Sequence, residues 1–288
     1  MILETITWTV DPVAFSLGSI EVRWYGILLA TGFFLTYLTL QKIFNVENIS
    51  QKLLDKLSIW TVVWTIVGLR LGHFLFYEPE MFVTAPLEII LPIHDGHFVG
   101  YQGLASHGAV IAIISYLIFA ARKYKMNMLW LLDRFALSIP IAAALVRCGN
   151  LMNHEIVGSI TTVPWAFDFT LGGAGISGTL RHPAQLYEAA VYLSLYIGFV
   201  IYYFKFAKGK VYSGLPTGML LTVIFTARFI IEFFKEVQVA KENTMLLDIG
   251  QLLSIPFILI GVALLIYAFK KKSIPQYIEP EEFKDKKQ

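Results

Sequence analysis

Seven blocks of roughly 20 predominantly apolar residues run through this chain, each long enough to cross a bilayer as a helix. They fall at about 25–44, 56–77, 102–121, 129–147, 184–204, 214–234 and 248–269. Backbone in hydrocarbon has no water to bond, so only helices and closed barrels span it. Blocks of this length specify helices. The composition agrees, with 56% hydrophobic and only 15% charged residues and a mean hydropathy of +0.63; a soluble domain averages about 25% charged residues. The expected fold is an all-α polytopic membrane protein with seven transmembrane helices.

Basic residues in the short connections set the orientation. Lys42, Lys52 and Lys56 follow the first span, Arg122, Lys123 and Lys125 the third, and Lys205, Lys208 and Lys210 the fifth. Lys270, Lys271 and Lys272 follow the seventh, with Lys284, Lys286 and Lys287 beyond. The alternate connections hold Arg23, Arg181, Lys235 and Lys241. The N-terminus is therefore expected outside and the C-terminus in the cytoplasm. The expected organisation is an outer segment 1–24, a seven-helix transmembrane domain 25–272 and a charged, solvated tail 273–288. The outer loops 78–101 and 156–183 are expected to form a small head or arms. "MILETITWTVDPVAF" lacks the basic start and compact apolar core of a cleavable signal peptide. The net charge of +2 and the absence of a basic stripe give no reason to expect nucleic acid, and the single cysteine, Cys148, excludes an internal disulfide.

The polar groups inside the spans are not scattered. At 1.5 Å per residue, Tyr25 opens the first helix on the outer side, and Arg70 lies about two turns from the outer end of the second. His107 sits near the outer start of the third, and Arg147 and Asn150 end the fourth. His182, Gln185 and Glu188 open the fifth, Arg228 and Glu232 lie in the outer part of the sixth, and Gln251 opens the seventh. The inner halves carry one charged pair, Asp133 and Arg134, expected near enough to the cytoplasmic face to reach water. A charge in a transmembrane helix costs roughly 2.5–3.5 kcal/mol on insertion scales, so Arg70 and Arg228 need partners or a wet cavity. Glu232, one turn from Arg228, is its expected partner. A lone arginine here is as readily a structural ion pair or a side chain snorkelling to water. So many charges at one depth read instead as one site toward the outer leaflet.

The stretch "LVRCGNLMNHE" is the densest part of that pattern. Were the helix to continue past Leu145, Arg147, Asn150 and His154 would share a face. The arginine fork suits phosphate oxygens, so an anionic lipid head group is the natural ligand at that depth. Cys148 faces elsewhere and reads as a packing residue before a nucleophile.

From about Asp11 to Gly261 the chain resembles the bacterial prolipoprotein diacylglyceryl transferases. The segments that carry the resemblance are "RWYGILLATGF", "VGLRLGHFLFY", "SHGAVIAI", "VRCGNLMNHEIVG", "RHPAQLYEA", "ARFIIEFFKE" and "IGQLLSIPFILIG". The resemblance implies transfer of the diacylglyceryl group of phosphatidylglycerol to the lipobox cysteine thiol in a prolipoprotein signal peptide. A thioether forms and glycerol 1-phosphate leaves. No metal and no soluble cofactor is implied. The family's signature Arg, Asn, Glu and Gly match Arg147, Asn150, Glu155 and Gly158. Its later Arg/Glu pair matches Arg228 and Glu232, its first-helix Tyr matches Tyr25 and its third-helix His matches His107. Three departures stand out: Ala109 and Ala112 replace glycines of the third-helix motif, His154 stands where glycine is common, and Ser159 where a basic residue is frequent.

A thiol has an unperturbed pKa near 8.5 and reacts as the thiolate, so the acceptor needs a base or a positive field. His107 is the first candidate base and Glu232 a weaker one; the second reading of His107 is a hydrogen-bonded helix histidine that shapes the site. Arg147 and Arg228 would stabilise charge on the leaving phosphate. Glu155 and Glu232 would orient them. Tyr25, Arg70, Asn150, Gly158, His182, Gln185, Tyr187 and Glu188 are the expected contacts to lipid or acceptor. The rival readings are a secondary transporter and a noncatalytic lipid-binding or assembly protein. A transporter needs a route joining both faces, whereas these charges keep to one half, and the second half of the chain does not repeat the first.

Overall fold

A computed structural model describes residues 6–18, 20–91, 93, 94, 97, 98, 105–236, 246–275, 277 and 280–283. They fall into two compact units, residues 1–46 with 132–275, and residues 47–131 with 276–288. Six helices among the described residues are long and apolar enough to cross a membrane. They are α1 (Trp24–Val46), α2 (Gln51–Tyr77), α6 (Met128–Met152), α7 (Ala184–Ile201, extended by a π-helical segment Tyr202–Ala207), α8 (Leu215–Glu232) and α9 (Ile249–Lys271). Each lies within a few residues of its expected span. Short helices α3 (Met81–Thr84) and α4 (Pro86–Ile90) follow α2. The expected third span corresponds to α5 (Ser106–Lys123); positions 102–104 of that span lie outside the described residues.

In the first unit, close helix approach relies on small residues, as is usual between membrane helices. A Cβ on Gly32 would lie 2.9 Å from the Ala142 backbone, and one on Gly261 would lie 2.5 Å from Thr222 Oγ1. Asp248 caps α9 by accepting from Gln251 N at 2.8 Å, while the Gln251 side chain returns to Asp248 N at 3.2 Å, so two otherwise orphaned amides are satisfied. The first turn of α8 is capped by another helix. Asp133 of α6 accepts from Gly214 N, Thr217 N and Thr217 Oγ1 at 2.7, 3.1 and 2.6 Å. Asp133 and Arg134 are both buried, which corrects the expectation that they reach water: the carboxylate spends its lone pairs on a helix start.

Strands are short and lie at chain segments flanking the helices. β1 (Ile6–Trp8) pairs in parallel with β6 (Phe167–Phe169), which pairs antiparallel with β7 (Leu180–Arg181). β2 (Val13–Leu17) and β3 (Ile20–Arg23) pair antiparallel, as do β4 (Ile93–His94) and β5 (His97–Phe98). Segment 156–183 is thus tied to the N-terminal strand. Trp8, Leu151, Val157, Phe167 and Phe169 pack together beneath it.

In the second unit α2 and α5 meet at glycine. A Cβ on Gly72 would lie 2.6 Å from Gly108 Cα, and one on Gly68 would lie 2.5 Å from Ala112 Cβ. Gly68 therefore makes room for the methyl of Ala112, which is how the contact tolerates alanine at that position. The tail differs from expectation at its described residues. Tyr277 stacks on Trp130 with centroids 4.6 Å apart, Phe283 is buried against Tyr124, and Glu282 meets Lys56 at 2.6 Å. These aromatic anchors hold part of a segment whose composition reads as solvated. Residues 284–288 lie outside the described residues.

Candidate active site at the helix ends of the first unit

The ends of α6 and α8 and the starts of α1, α7 and α9 meet at one end of the first unit. Tyr25, in the first turn of α1, lies over Gly149, where a Cβ would come within 2.8 Å of the ring. One turn inside α7, Glu188 is wholly buried. It stands between two cations, Arg147 Nε at 2.8 Å and Lys235 Nζ at 3.0 Å. The Arg147 contact is an ion pair without an aligned N–H bond to that oxygen. Lys235 also meets Glu232 at 3.2 Å. Buried carboxylates of this kind keep their charge only when paired, and here two acidic and two basic side chains hold one another.

How "VRCGNLMNHE" folds explains its crowding. The α-helix stops at Met152, and His154 takes a left-handed φ of 54°. His154 N then donates to Leu151 O at 3.1 Å and Glu155 N to Asn150 O at 3.1 Å, the paired bonds of a Schellman ending. This reversal brings Glu155 back over the last turn. Its Oε1 accepts from Asn150 Nδ2 at 2.8 Å and Asn153 Nδ2 at 3.3 Å, and Asn150 Oδ1 accepts from Arg147 Nη1 at 3.2 Å. Glu155 thus reaches Arg147 through Asn150. The expectation that His154 shares a face with Arg147 and Asn150 is overturned, because the helix ends first. Its ring goes to Val10 O at 2.8 Å and edge-on to Phe169. The left-handed φ is also the physical reason that glycine suits this position.

Gln185 closes the turn from α7, donating from Nε2 to Glu155 O at 2.6 Å. It is wholly buried, so its described contact positions Glu155. Gly158 lies at a crossing: its N donates to His182 O at 2.9 Å, and Ser159 N donates to Phe234 O at 2.9 Å. A Cβ at Gly158 would lie 2.5 Å from both Cβ and O of His182 and 2.6 Å from Phe234 O. Glycine is required there by backbone proximity. Above it, Tyr187 OH joins His182 Nδ1 at 2.9 Å and accepts from Trp165 Nε1 at 2.7 Å. Partial burial holds the His182 imidazole below its ordinary pKa. Arg181, which the sequence offers only as a loop charge, donates to Gly158 O and Gly175 O and pairs with Glu236 at 2.8 Å.

Arg228 differs from its expected pairing. Glu232 turns to Lys235, and among the described residues no carboxylate pairs with Arg228. Tyr192, one turn beyond Glu188, is buried beside Arg147. Glu232 packs instead against the start of α9, where a Cβ on Gly250 would meet its carboxyl carbon at 2.7 Å. That is the positive end of a helix dipole, favourable for a carboxylate. Lys235 and Tyr192 are the members sequence reasoning missed. Arg228, Glu232 and Lys235 stand at spacings of four and three, and that one-sided pattern was the available signal.

Arg70 and His107 belong to the second unit. Arg70 is buried, donates to Ile89 O at 3.1 Å and Glu88 O at 2.7 Å, and lies 4.6 Å from the Phe74 ring centroid. These contacts put its charge against carbonyls at the negative end of α4. His107 is in the first turn of α5, and its side chain lies outside the described residues.

A set of apolar spanning helices whose ends enclose paired arginine, lysine and glutamate defines a multi-pass membrane protein with a built polar centre. The family model for prolipoprotein diacylglyceryl transferase matches residues 12–267. The chain belongs to that family. It is similar to the phosphatidylglycerol–prolipoprotein diacylglyceryl transferase of Bacteroides fragilis, 40% identical over 278 residues, covering 95% of this chain and 99% of the relative. The like-named protein of Tolumonas auensis is 40% identical, covering 92% and 98% respectively. That of Chloroherpeton thalassium is 38% identical, covering 93% and 96%.

Proposed function

We infer that the chain is a transferase that moves the diacylglyceryl group of phosphatidylglycerol to a prolipoprotein, the first step of lipoprotein lipidation. The acceptor atom is the thiol of the lipobox cysteine. Its sulfur forms a bond to the terminal glycerol carbon, the bond from that carbon to the phosphate ester oxygen breaks, and glycerol 1-phosphate departs. Seven helices, α5 included, cross the bacterial inner membrane with the N-terminus and loop 156–183 outside and the Lys270 flank in the cytoplasm. Residues 25–272 form the catalytic domain, with the site toward the periplasmic leaflet.

The observation that carries this reading is the chain of contacts from Glu155 through Asn150 to Arg147, beside an Arg228 without a carboxylate partner among the described residues. An arginine already ion-paired on one edge and oriented through Asn150 is set to present its remaining donors to a phosphate. Arg228 would complete a two-sided hold, and both would favour the anion as it leaves. His107 is the proposed proton acceptor for the thiol, with Glu232 the weaker alternative because Lys235 holds it. Tyr25 and Tyr187 bound the space for head group and acceptor. Gln185, Gly158 and His182 fix the loop that carries Glu155.

Purified protein should transfer labelled diacylglyceryl from phosphatidylglycerol vesicles to a lipobox peptide and release glycerol phosphate. Binding of lipid without label on the peptide sulfur would return the noncatalytic reading.

A further inference from the structure

Three basic residues close α5 and its turn, and they do not do the same thing. Lys123 Nζ lies 5.7 Å and 5.6 Å from the ring centroids of Phe119 and Tyr124. Arg122 and Lys125 instead line a groove of about 380 Å³ together with Ile118, Ala121, Met126 and Met128. Both are exposed, and among the described residues no carboxylate pairs with either. The turn that carries Lys125 has a fixed geometry. Lys125 has a left-handed φ of 51°, and Met126 N donates to Ala121 O at 2.8 Å. Helix α6 starts at the groove, with Asn127 Oδ1 accepting from Trp130 N at 3.0 Å, so a helix dipole adds positive potential there. The outward face of α5 leading to the groove is apolar and exposed at Ile111, Ile114 and Ile118.

We propose that this groove binds one anionic glycerophospholipid, distinct from the donor lipid of the transfer reaction. The phosphate diester lies between Arg122 and Lys125, and the first carbons of one acyl chain lie along Ile118 and Met128. The chemistry selects this ligand. Two cations without a carboxylate partner favour a net negative head group, and basic pockets beside membrane helices on the cytoplasmic side take such lipids. A soluble anion would leave exposed Ile118 and half-buried Met128 against water, whereas an acyl chain covers them. The assignment to the cytoplasmic leaflet rests on the topology proposed above; the binding itself does not.

Native mass spectrometry of the full chain, titrated with phosphatidylserine or phosphatidylcholine, tests this. Phosphatidylserine should be retained about tenfold better, given the worth of a Lys or Arg near anionic lipid. The double variant Arg122→Gln/Lys125→Gln should lose one bound phosphatidylserine while keeping transferase activity. The charge-conserving pair Arg122→Lys/Lys125→Arg should retain it, which separates lost charge from lost fold. Equal retention of phosphatidylserine by the neutral double variant would overturn the site, as would equal retention of the two lipids by the native chain. Displacement by excess inorganic phosphate would overturn the lipid in favour of a free anion. Loss of transfer together with the lipid would overturn its separation from the donor. A reversed topology by residue labelling would overturn the leaflet alone.

Discussion

Arg147 of α6 and Glu188 of α7 lie 2.8 Å apart, with Glu188 wholly buried and Arg147 mostly so. The acid also holds Lys235 at 3.0 Å, so one carboxylate neutralises charge from two other segments. Removing it leaves Arg147 short of its counter-charge in a low-dielectric place. Glu188→Ala should cost about 3 kcal/mol, the usual result of breaking a buried pair, and should abolish transfer. A melting curve in detergent, read beside the transfer assay, checks this; an unchanged midpoint would show the pair to be dispensable.

Arg147 is expected to act through its planar fork as well as its charge. Lysine keeps the charge but offers a point donor. Arg147→Lys should therefore insert and fold yet lose turnover by about 100-fold, as when an oriented donor to a developing anion is removed. Arg147→Ala should be close to inactive. If the contact strengthens as the phosphate leaves, kcat falls and KM for phosphatidylglycerol changes little. A rise in KM alone would make it a ground-state contact.

Gly158→Ala places a methyl 2.5 Å from His182 and 2.6 Å from the Phe234 carbonyl. Backbone on both sides cannot give way cheaply, so the substitution should destabilise by about 1–3 kcal/mol, the range for overpacking. Faster proteolysis of segment 156–183 would report it. Wild-type resistance and melting would mean that the crossing is looser than these distances require.

Cys148 is the chain's one thiol, yet the proposed reaction takes its sulfur from the acceptor. Cys148→Ala should keep most transfer activity in the peptide assay. A folded but inactive variant, joined to a lipid adduct on Cys148 in the native chain, would move the nucleophile into the enzyme.

That alanine background also supports a topology test. Ile160 is 67% exposed, so Ile160→Cys should react with a membrane-impermeant maleimide added to the periplasmic side. Labelling from the cytoplasmic side alone would invert the proposed orientation.

The helices were legible because hydrocarbon demands long apolar runs, and each observed span lies within a few residues of its block. The polar centre was legible in kind but less so in pairing. Glu232 stands one turn from Arg228, yet it bonds Lys235, three residues on; helical spacing offers both partners and does not choose between them. Glu155 follows the end of α6, and only a left-handed residue at His154 turns it toward Asn150. Asp133 reads as an interfacial charge until Gly214 and Thr217, far along the chain, are found beneath it. Charge density likewise hid the anchors at Tyr277 and Phe283. For Asp133 and the tail anchors the missing information was a contact between distant residues; at Glu155 and Glu232 it was a local choice of backbone turn or partner.

The stacking of Tyr277 on Trp130 has a consequence for how the protein is made. Trp130 leaves the ribosome at the start of α6, and three further membrane helices must be threaded into the bilayer before its ring partner is synthesised. Throughout that interval the indole face that Tyr277 covers is open to lipid or to a chaperone. The second unit is therefore assembled in two instalments, and its closure marks the end of insertion.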